Sequence, residues 1–417
     1  MHNNIPTTSR VGLKSSFVSQ DIEPHPMRFT GGGGEYFRVW IVNVLLTIIT
    51  LGFYTPWARR RTAQYFYGHT LVAGSPLEFT AQQRRMVVGF LVLVGITAAY
   101  NLAANTGQDM VAGLFILGGA LLAPFIWGSA MRFRLGNTRW RGLRLQFTAR
   151  WAEIYKASWP VFAFALIWIV VSYGLYALWQ DIVPDAATGR RHPSQITAPM
   201  WGLLVLGLVL SVLCAIRLEY NYRSLLVLRA QLGDQPGRWK PVYMDFVKIW
   251  LATVLVFILC ALLLSALVAG AAGGIVAWAA AAKSSGFGLW LFIAIIVAFV
   301  LGFFMLLLAT APARAYREAR MFQLMWNNVG LGSIARFRCN LRTGSFVFLR
   351  LRNMLLTLLT LGFFRPFAMV SEYRMKLESV TLHVKGGVDQ VAGRLVDQQR
   401  DGIGDALADA AGLDLIG

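Results

Sequence analysis

Charged residues and cysteines are both scarce in this sequence. Only 14% of its 417 residues are charged, whereas soluble domains carry about 25%, so an ordinary water-exposed surface is excluded. The three cysteines, Cys214, Cys260 and Cys339, form no CxxC pair, so neither a disulfide framework nor a metal site is indicated. Apolar residues form runs such as 201–216 and 289–311, close to the ~20 residues that cross a bilayer.

The sequence also lacks the motifs of catalysis. Its five histidines include no pair spaced by four residues and no HExxH motif, so zinc chemistry is not indicated. No GxSxG nucleophile elbow is present, and the glycines at 31–34 lack the GK[ST] of a phosphate-binding loop. We therefore expect no enzyme activity, no metal and no cofactor.

Basic residues outnumber acidic ones by 39 to 20 and are unevenly placed. Links rich in Arg and Lys alternate with poor ones: 132–156, 217–248 and 312–343 are rich, whereas 105–109, 180–199 and 281–288 are poor. This alternation follows the positive-inside rule and predicts three helical hairpins that leave from the cytoplasm, with both termini cytoplasmic. The positive charge then needs no nucleic acid as partner. The expected partners are the lipid bilayer and anionic lipid headgroups at the cytoplasmic arginines.

The apolar segments predict an all-α polytopic membrane protein. Six of them can span the bilayer, at about 86–105, 110–131, 157–179, 200–217, 246–280 and 287–311. Two more, 39–54 and 353–364, have arginines on both sides, which favours re-entrant or interfacial helices over full crossings. Eight spanning helices are the alternative, because arginines can snorkel to the membrane surface.

The two shallow segments contain copies of one motif. Residues 43–58 read NVLLTIITLGFYTPWA and residues 353–368 read NMLLTLLTLGFFRPFA, which indicates an internal duplication. At helical spacing, three polar side chains of each copy share a face: Asn43, Thr47 and Thr50, and Asn353, Thr357 and Thr360. Glycine and proline are predicted to end these helices: Gly52 and Pro56 in the first copy, Gly362 and Pro366 in the second.

A shorter pattern predicts small β-hairpins on the cytoplasmic side. A polar residue, a glycine and a phenylalanine recur at equal spacing: His69, Gly74 and Phe79; Asn137, Gly142 and Phe147; and, more weakly, Asn327, Gly332 and Phe337. Alternating apolar residues before the phenylalanine indicate strands that meet at a glycine turn.

The TLGFYTPWA motif, the HT-x3-G hairpin and the Asn-Leu-Leu-Thr face together resemble the YjgN-like family of bacterial inner-membrane proteins. The similarity runs from about residue 27 to 384. It implies a multi-pass inner-membrane protein, no particular activity, and a membrane-linked peptidase as a protein partner. We accordingly expect a disordered N-terminal tail (1–26), a membrane domain (27–384) and an acidic C-terminal tail (385–417).

Two functions fit these observations. In the first, the two Asn/Thr faces line one shared site, as broken helices do in repeat-built transporters, and the protein is a transporter or channel-like protein for a small solute. In the second, the same side chains only brace helices through hydrogen bonds, and the protein is a non-transporting scaffold or a partner of another membrane protein. We predict the first function, with the second as the alternative. The acidic tail either solubilises the chain or docks on the arginine-rich loops.

Overall fold

Pairs of helices alternate with short strands along the whole described chain. A computed structural model describes residues 22–180, 197–233, 235–281, 287–389 and 392–393. The first half contains β1 (Ile22–Pro26), β2 (Arg28–Phe29), α1 (Gly33–Ile49), α2 (Thr55–Gly68), β3 (Thr70–Val72), β4 (Ser75–Phe79), α3 (Gln83–Asn105), α4 (Asp109–Gly136), β5 (Thr138–Trp140), β6 (Leu143–Phe147), α5 (Trp151–Ala157) and α6 (Trp159–Gln180). The second half contains α7 (Ala198–Arg229), β7 (Ala230–Leu232), β8 (Gln235–Trp239), α8 (Tyr243–Ala281), α9 (Phe287–Asn328), β9 (Val329–Leu331), β10 (Ala335–Cys339), α10 (Thr343–Leu359), α11 (Arg365–Glu378) and β11 (Val380–Lys385).

The strands form one antiparallel sheet that closes into a barrel. Their order is β1-β11-β10-β9-β8-β7-β6-β5-β4-β3-β2. The two outermost strands of this order, β1 and β2, are consecutive in the chain and separated only by Met27, whose N–H donates to the Val380 carbonyl at 3.0 Å. Segment 22–29 therefore pairs with β11 through its first half and with β3 through its second half. Within the described residues, every strand from β3 to β11 has a hydrogen-bonded neighbour on both sides, which protects these strands from pairing with another chain.

Tight turns at one end of the barrel set the register of the hairpins. Only two residues join β3 to β4 and β5 to β6, and both residues of each turn have positive φ: 48° and 77° at Ala73 and Gly74, and 51° and 80° at Arg141 and Gly142. Positive φ at both positions is the type I′ geometry that matches the twist of a hairpin. All helices join the strands at the opposite end, which we call the helix end; the other is the turn end.

Alternate strand residues point into the barrel and form its core. In β6, Leu143 and Phe147 are buried, whereas Arg144 and Gln146 are exposed. The core joins strands far apart in the sequence, and it consists of Trp140, Leu143, Ala335, Leu382, Val384 and Val388. The sequence predicted separate small hairpins on an all-α protein. The structure corrects this, because neighbouring hairpins pair with each other into one barrel, which includes a hairpin at 230–239 that was not predicted.

Five helices of the described chain are long and apolar enough to cross a membrane. They are Gln83–Asn105, Gly113–Gly136, Trp159–Trp179, Ala198–Arg229 and Tyr243–Trp278. The mostly helical membrane architecture predicted from the sequence is therefore confirmed. The sixth predicted span, 287–311, lies within α9, which packs along α8, so the number of crossings stays a prediction. Helices α1 and α10, which contain the first part of each motif copy, have only 17 residues each.

The spanning helices pack in pairs and not as one bundle. The most apolar windows of α3, α4, α6, α7 and α8 are only 6, 12, 6, 22 and 0% buried within the chain. Contacts between different pairs lie where the helices leave the barrel, for example the bond from Trp250 Nε1 to Glu219 Oε2 at 2.9 Å. Each pair thus stands on the barrel with most of its apolar surface turned outward.

The barrel includes residues at the inner borders of both predicted tails. Residues 22–26, which we assigned to the N-terminal tail, form β1 and pair with β11. Beyond β11, Val388 is still buried in the barrel core. Residues 1–21 and 394–417 lie outside the described part of the chain.

Candidate functional site

The asparagine of the first motif copy links the two helices of its own pair. Asn43 lies in α1 and is 5% exposed. Its Nδ2 donates to the carbonyl of Ala58 in α2 at 3.4 Å. The bond crosses from one helix to the next within the first helix pair, so this side chain acts as a brace between α1 and α2.

The second copy repeats this link, and its amide nitrogen has two further acceptors within reach. Asn353 is 1% exposed, and its Nδ2 donates to the Ala368 carbonyl at 3.4 Å. Further acceptors are Ser371 Oγ at 2.9 Å and Glu372 Oε1 at 3.2 Å. Within the described residues, Oδ1 of Asn353 and of Asn43 is buried and accepts no hydrogen bond. The second brace is therefore the stronger of the two.

The motif threonines bond to the backbone of their own helix. In the first copy, the hydroxyl of Thr47 donates to the Asn43 carbonyl at 2.6 Å, and that of Thr50 to the Leu46 carbonyl at 2.7 Å. Thr357 and Thr360 make the equivalent bonds in the second copy, both at 2.7 Å. A hydroxyl engaged in this way has no proton left to donate to a solute.

A left-handed turn ends both motif helices in the same way. Gly52 has a φ of 94° and Gly362 a φ of 95°. Their N–H groups donate to the carbonyls of Thr47 and Thr357, each at 2.7 Å. Such a reversal with glycine in the left-handed region is the usual end of a helix. Pro56 and Pro366 then lie in the first turn of α2 and α11, where a missing N–H costs little.

The two copies are neighbours on the barrel, but their polar groups bond separately. Helix α1 contacts α11 through the stacked rings of Phe37 and Phe367, whose centroids are 5.8 Å apart. Across the same interface, Arg374 donates to the Gly31 carbonyl at 2.7 Å. Among the described residues, the hydrogen bonds of these Asn and Thr side chains stay within their own helix pairs. The cavities described below are lined by other residues.

A network of charges surrounds the second copy. Lys376 Nζ lies 2.7 Å from Glu318 Oε1, and Arg350 bridges Glu318 and Glu372. Burial raises the pKa of Glu318, but Lys376 and Arg350 outweigh it and hold that pKa below its ordinary value. The network fixes α10 and α11 against the part of α9 that lies next to the barrel. The first copy has Arg61 and Thr62 at the positions that correspond to Ser371 and Glu372.

The barrel encloses an apolar cavity that sequence analysis missed. Its volume is about 300 Å³, and side chains from most of the strands line it, among them Val72, Leu77, Leu145, Leu232, Phe337 and Leu382. The alternation of apolar residues in each short strand was a signal for it, but only barrel closure brings those residues together.

Three polar side chains of the cavity lining bond to one another or to the backbone. Trp140 Nε1 donates to the Val72 carbonyl at 3.0 Å. The hydroxyls of Thr70 and Tyr373 share a hydrogen bond of 2.8 Å. Burial raises the pKa of Tyr373, so its phenol stays neutral. The cavity therefore presents a neutral and apolar surface.

The chain crosses the turn end of the barrel just after β11. Gly386 and Gly387 have φ values of 86° and 77° and turn the chain back, which buries Val388 in the core. The Arg141 guanidinium donates to the Ala73 carbonyl at 2.9 Å, and it also pairs with Asp389. Residues 386–389 thus cover this end of the cavity.

A second cavity, of about 400 Å³, lies beside α7 and α9 and is lined by Arg223, Val227, Glu318, Met321, Phe322 and Trp326, among others.

No three His, Cys, Asp or Glu side chains of the described residues converge on a point where a metal ion could bind. The absence of a metal and of a cofactor stays a prediction.

Known relatives decide the family. The sequence profile of a family described as "Bacterial protein of unknown function (DUF898)" matches residues 24–410. The chain belongs to the DUF898 family. Its similar proteins include "Inner membrane protein YjgN" of Salmonella typhimurium strain LT2, 29% identical over 164 residues, or 39% of this chain and 40% of that protein. Another is "Inner membrane protein YjgN" of Escherichia coli strain K12, 25% identical over 205 residues, or 49% and 50%.

The matched region spans half or less of the length of these relatives. No solved structure matches the chain. The resemblance to the YjgN-like family that the motifs indicated is thereby confirmed. With its apolar helices, this DUF898 chain is a protein of a bacterial inner membrane.

Proposed function

We propose that this DUF898 protein is a non-transporting, non-catalytic scaffold, whose membrane helices hold a closed β-barrel at the cytoplasmic surface. The supporting observation is the separation of the helix pairs, whose apolar windows are at most 22% buried within the chain. A solute path needs polar groups enclosed between packed helices. Outward-facing pairs instead present surfaces to lipid or to the helices of a partner, such as a membrane-linked peptidase.

The proposal also includes the orientation of the chain in the membrane and the origin of the two motif copies. Six crossings would return the chain to the barrel after each of three long pairs, and both termini would be cytoplasmic. Four exposed arginines would then meet anionic lipid headgroups. They lie in α2 and at the start of α3: Arg59, Arg61, Arg84 and Arg85. The matching bonds of the two motif copies support a common origin by duplication.

The transporter hypothesis predicts a different surface for the same helices. It assigns the Asn/Thr faces to a solute, yet their donors are engaged within each helix pair. A solute path between the long helices would have to expose one face of a helix to water. Water-accessible positions would then recur about every 3.6 residues along that helix.

Cysteine scanning separates the two functions. In a variant whose three native cysteines are changed to alanine, single cysteines are placed along 164–176 of α6 and at matched depths of α3 and α8. A charged, membrane-impermeant thiol reagent is then applied to each side of membrane vesicles. Glu78→Cys, on an exposed position of β4, serves as the positive control.

A scaffold predicts that the control is labelled and that no mid-membrane position reacts from either side. Labelling of every third or fourth position in one helix would instead reveal a water-filled path. That result would replace the scaffold with the transporter.

A further inference from the structure

We propose that the barrel cavity binds one acyl chain of a membrane phospholipid, which enters through the helix end. The cavity is separate from the motif copies and from the outward helix surfaces that support the proposed scaffold function. Its chemistry, its shape and its two ends each point to this occupant.

The chemistry of the lining selects an apolar ligand. Trp140, Thr70 and Tyr373 have polar groups at the cavity, and each is already engaged in a hydrogen bond inside the protein. A polar ligand would lose its bonds to water and find few replacements. A hydrocarbon chain loses no hydrogen bond and removes apolar surface from water on both sides.

The shape of the cavity fits a single extended chain. Its lining runs from Leu377 and Tyr373, beside the helices, to Val384 and Val388 at the turn end. Five residues of strand, such as 380–384, extend over roughly 16 Å. At about 30 Å³ for a group the size of a water molecule, a cavity of about 300 Å³ holds roughly ten methylene-sized groups. Length and volume together match part of one acyl chain.

The two ends of the barrel set the direction of entry. Residues 386–389 cover the turn end, where Arg141 pairs with Asp389. The helix end leads directly into helices long enough to enter the bilayer, whose phospholipids are the nearest source of acyl chains. Arg28 is exposed at this end, next to the lining residue Met27, so a cation is in place for the phosphate of a headgroup.

The test uses the full-length protein in nanodiscs. One preparation contains phosphatidylglycerol with a diazirine at the end of one acyl chain, and a second contains palmitic acid with the same group. After irradiation, peptide mass spectrometry locates the modified residues. We expect the phospholipid probe to modify the barrel interior at Leu232, Leu331 or Val384. Modification confined to the long helices would overturn the site, and interior modification by palmitic acid alone would overturn the phospholipid as its source.

Cavity-filling variants give a second readout. Ala335→Phe and Leu331→Phe add bulk to the lining, whereas Thr381→Phe adds the same ring to the outer face of β11. The inner variants should lower interior modification about tenfold, the scale on which a hydrophobic pocket responds to lost contacts. The outer variant should leave it unchanged. Unchanged modification in an inner variant that still elutes as a folded protein would overturn the proposal.

Discussion

The unequal braces of the two motif copies allow a quantitative test. Asn353→Ala removes an amide whose two hydrogens serve the Ala368 carbonyl, Ser371 Oγ and Glu372 Oε1. Each bond contributes about 0.5–1.5 kcal/mol, and a buried acceptor left without a partner costs about 1–3 kcal/mol. We therefore expect Asn353→Ala to lower the free energy of unfolding by about 3 kcal/mol. Asn43→Ala removes one long bond, to the Ala58 carbonyl, and should cost about 1 kcal/mol.

The assay is thermal unfolding of the purified protein in one detergent, followed by the intrinsic fluorescence of tryptophan. The Asn353→Ala midpoint should fall about three times as far as the Asn43→Ala midpoint, following the ratio of the two energies. Asn353→Asp supplies the matched control of size. It keeps the volume, cannot donate, and places a second carboxylate beside Glu372, so it should destabilise at least as much as the alanine variant.

The ranking of the variants is what can refute the reasoning. If Asn43→Ala destabilised the protein as much as Asn353→Ala, the extra bonds to Ser371 and Glu372 would contribute nothing. If neither variant shifted the midpoint, neither side chain would contribute to stability. Binding of a solute would then become the better explanation of the two asparagines.

Three further predictions follow from named contacts. Gly362→Ala should lower stability by about 1 kcal/mol in the same unfolding assay, because alanine is strained at a φ of 95°; an unchanged midpoint would mean that the helix end can rearrange. The pKa of Glu318 is lowered in the folded protein, so its stabilising effect is present above the unfolded pKa of about 4.3 and is lost as the pH falls through the folded pKa. Glu318→Gln should accordingly flatten the decrease of the unfolding midpoint below about pH 4.5, and an equal decrease in both proteins would contradict this. A reporter that is active only after export should stay silent at the C-terminus and become active when fused within 105–109, whereas export of the C-terminus would require an odd number of crossings.

Much of the architecture was readable because membranes impose strong rules on sequence. Apolar runs revealed the helices, and arginine flanks separated the long pairs from the short ones. The motif at 43–58 and 353–368 marked two helix ends whose hydrogen bonds agree between the copies. The glycine spacing also located hairpins at 69–79 and 137–147, because both need residues with positive φ in a two-residue turn.

The features that could not be predicted from the sequence depend on contacts between distant segments. The hairpin at 230–239 was missed because β8 reads QPGRW, and proline and glycine usually argue against a strand. Strands of two to six residues are also too short for a reliable period. The cavity was beyond reach for a related reason, since its lining joins residues as far apart as Val72 and Val388. Only the closure of the sheet brings such residues together.

Closure of the sheet also explains how helix pairs with little mutual contact keep fixed positions. A single strand–helix–helix–strand unit would leave both of its strand edges unpaired, and its helix pair would have no neighbour. Pairing each unit with the next satisfies those edges, and segment 22–29 completes the ring through β11 and β3. The barrel therefore sets the spacing of the helix pairs, so the pairs do not need to bury apolar surface against one another. The surface that they leave open is the surface on which a scaffold would receive lipid or a partner.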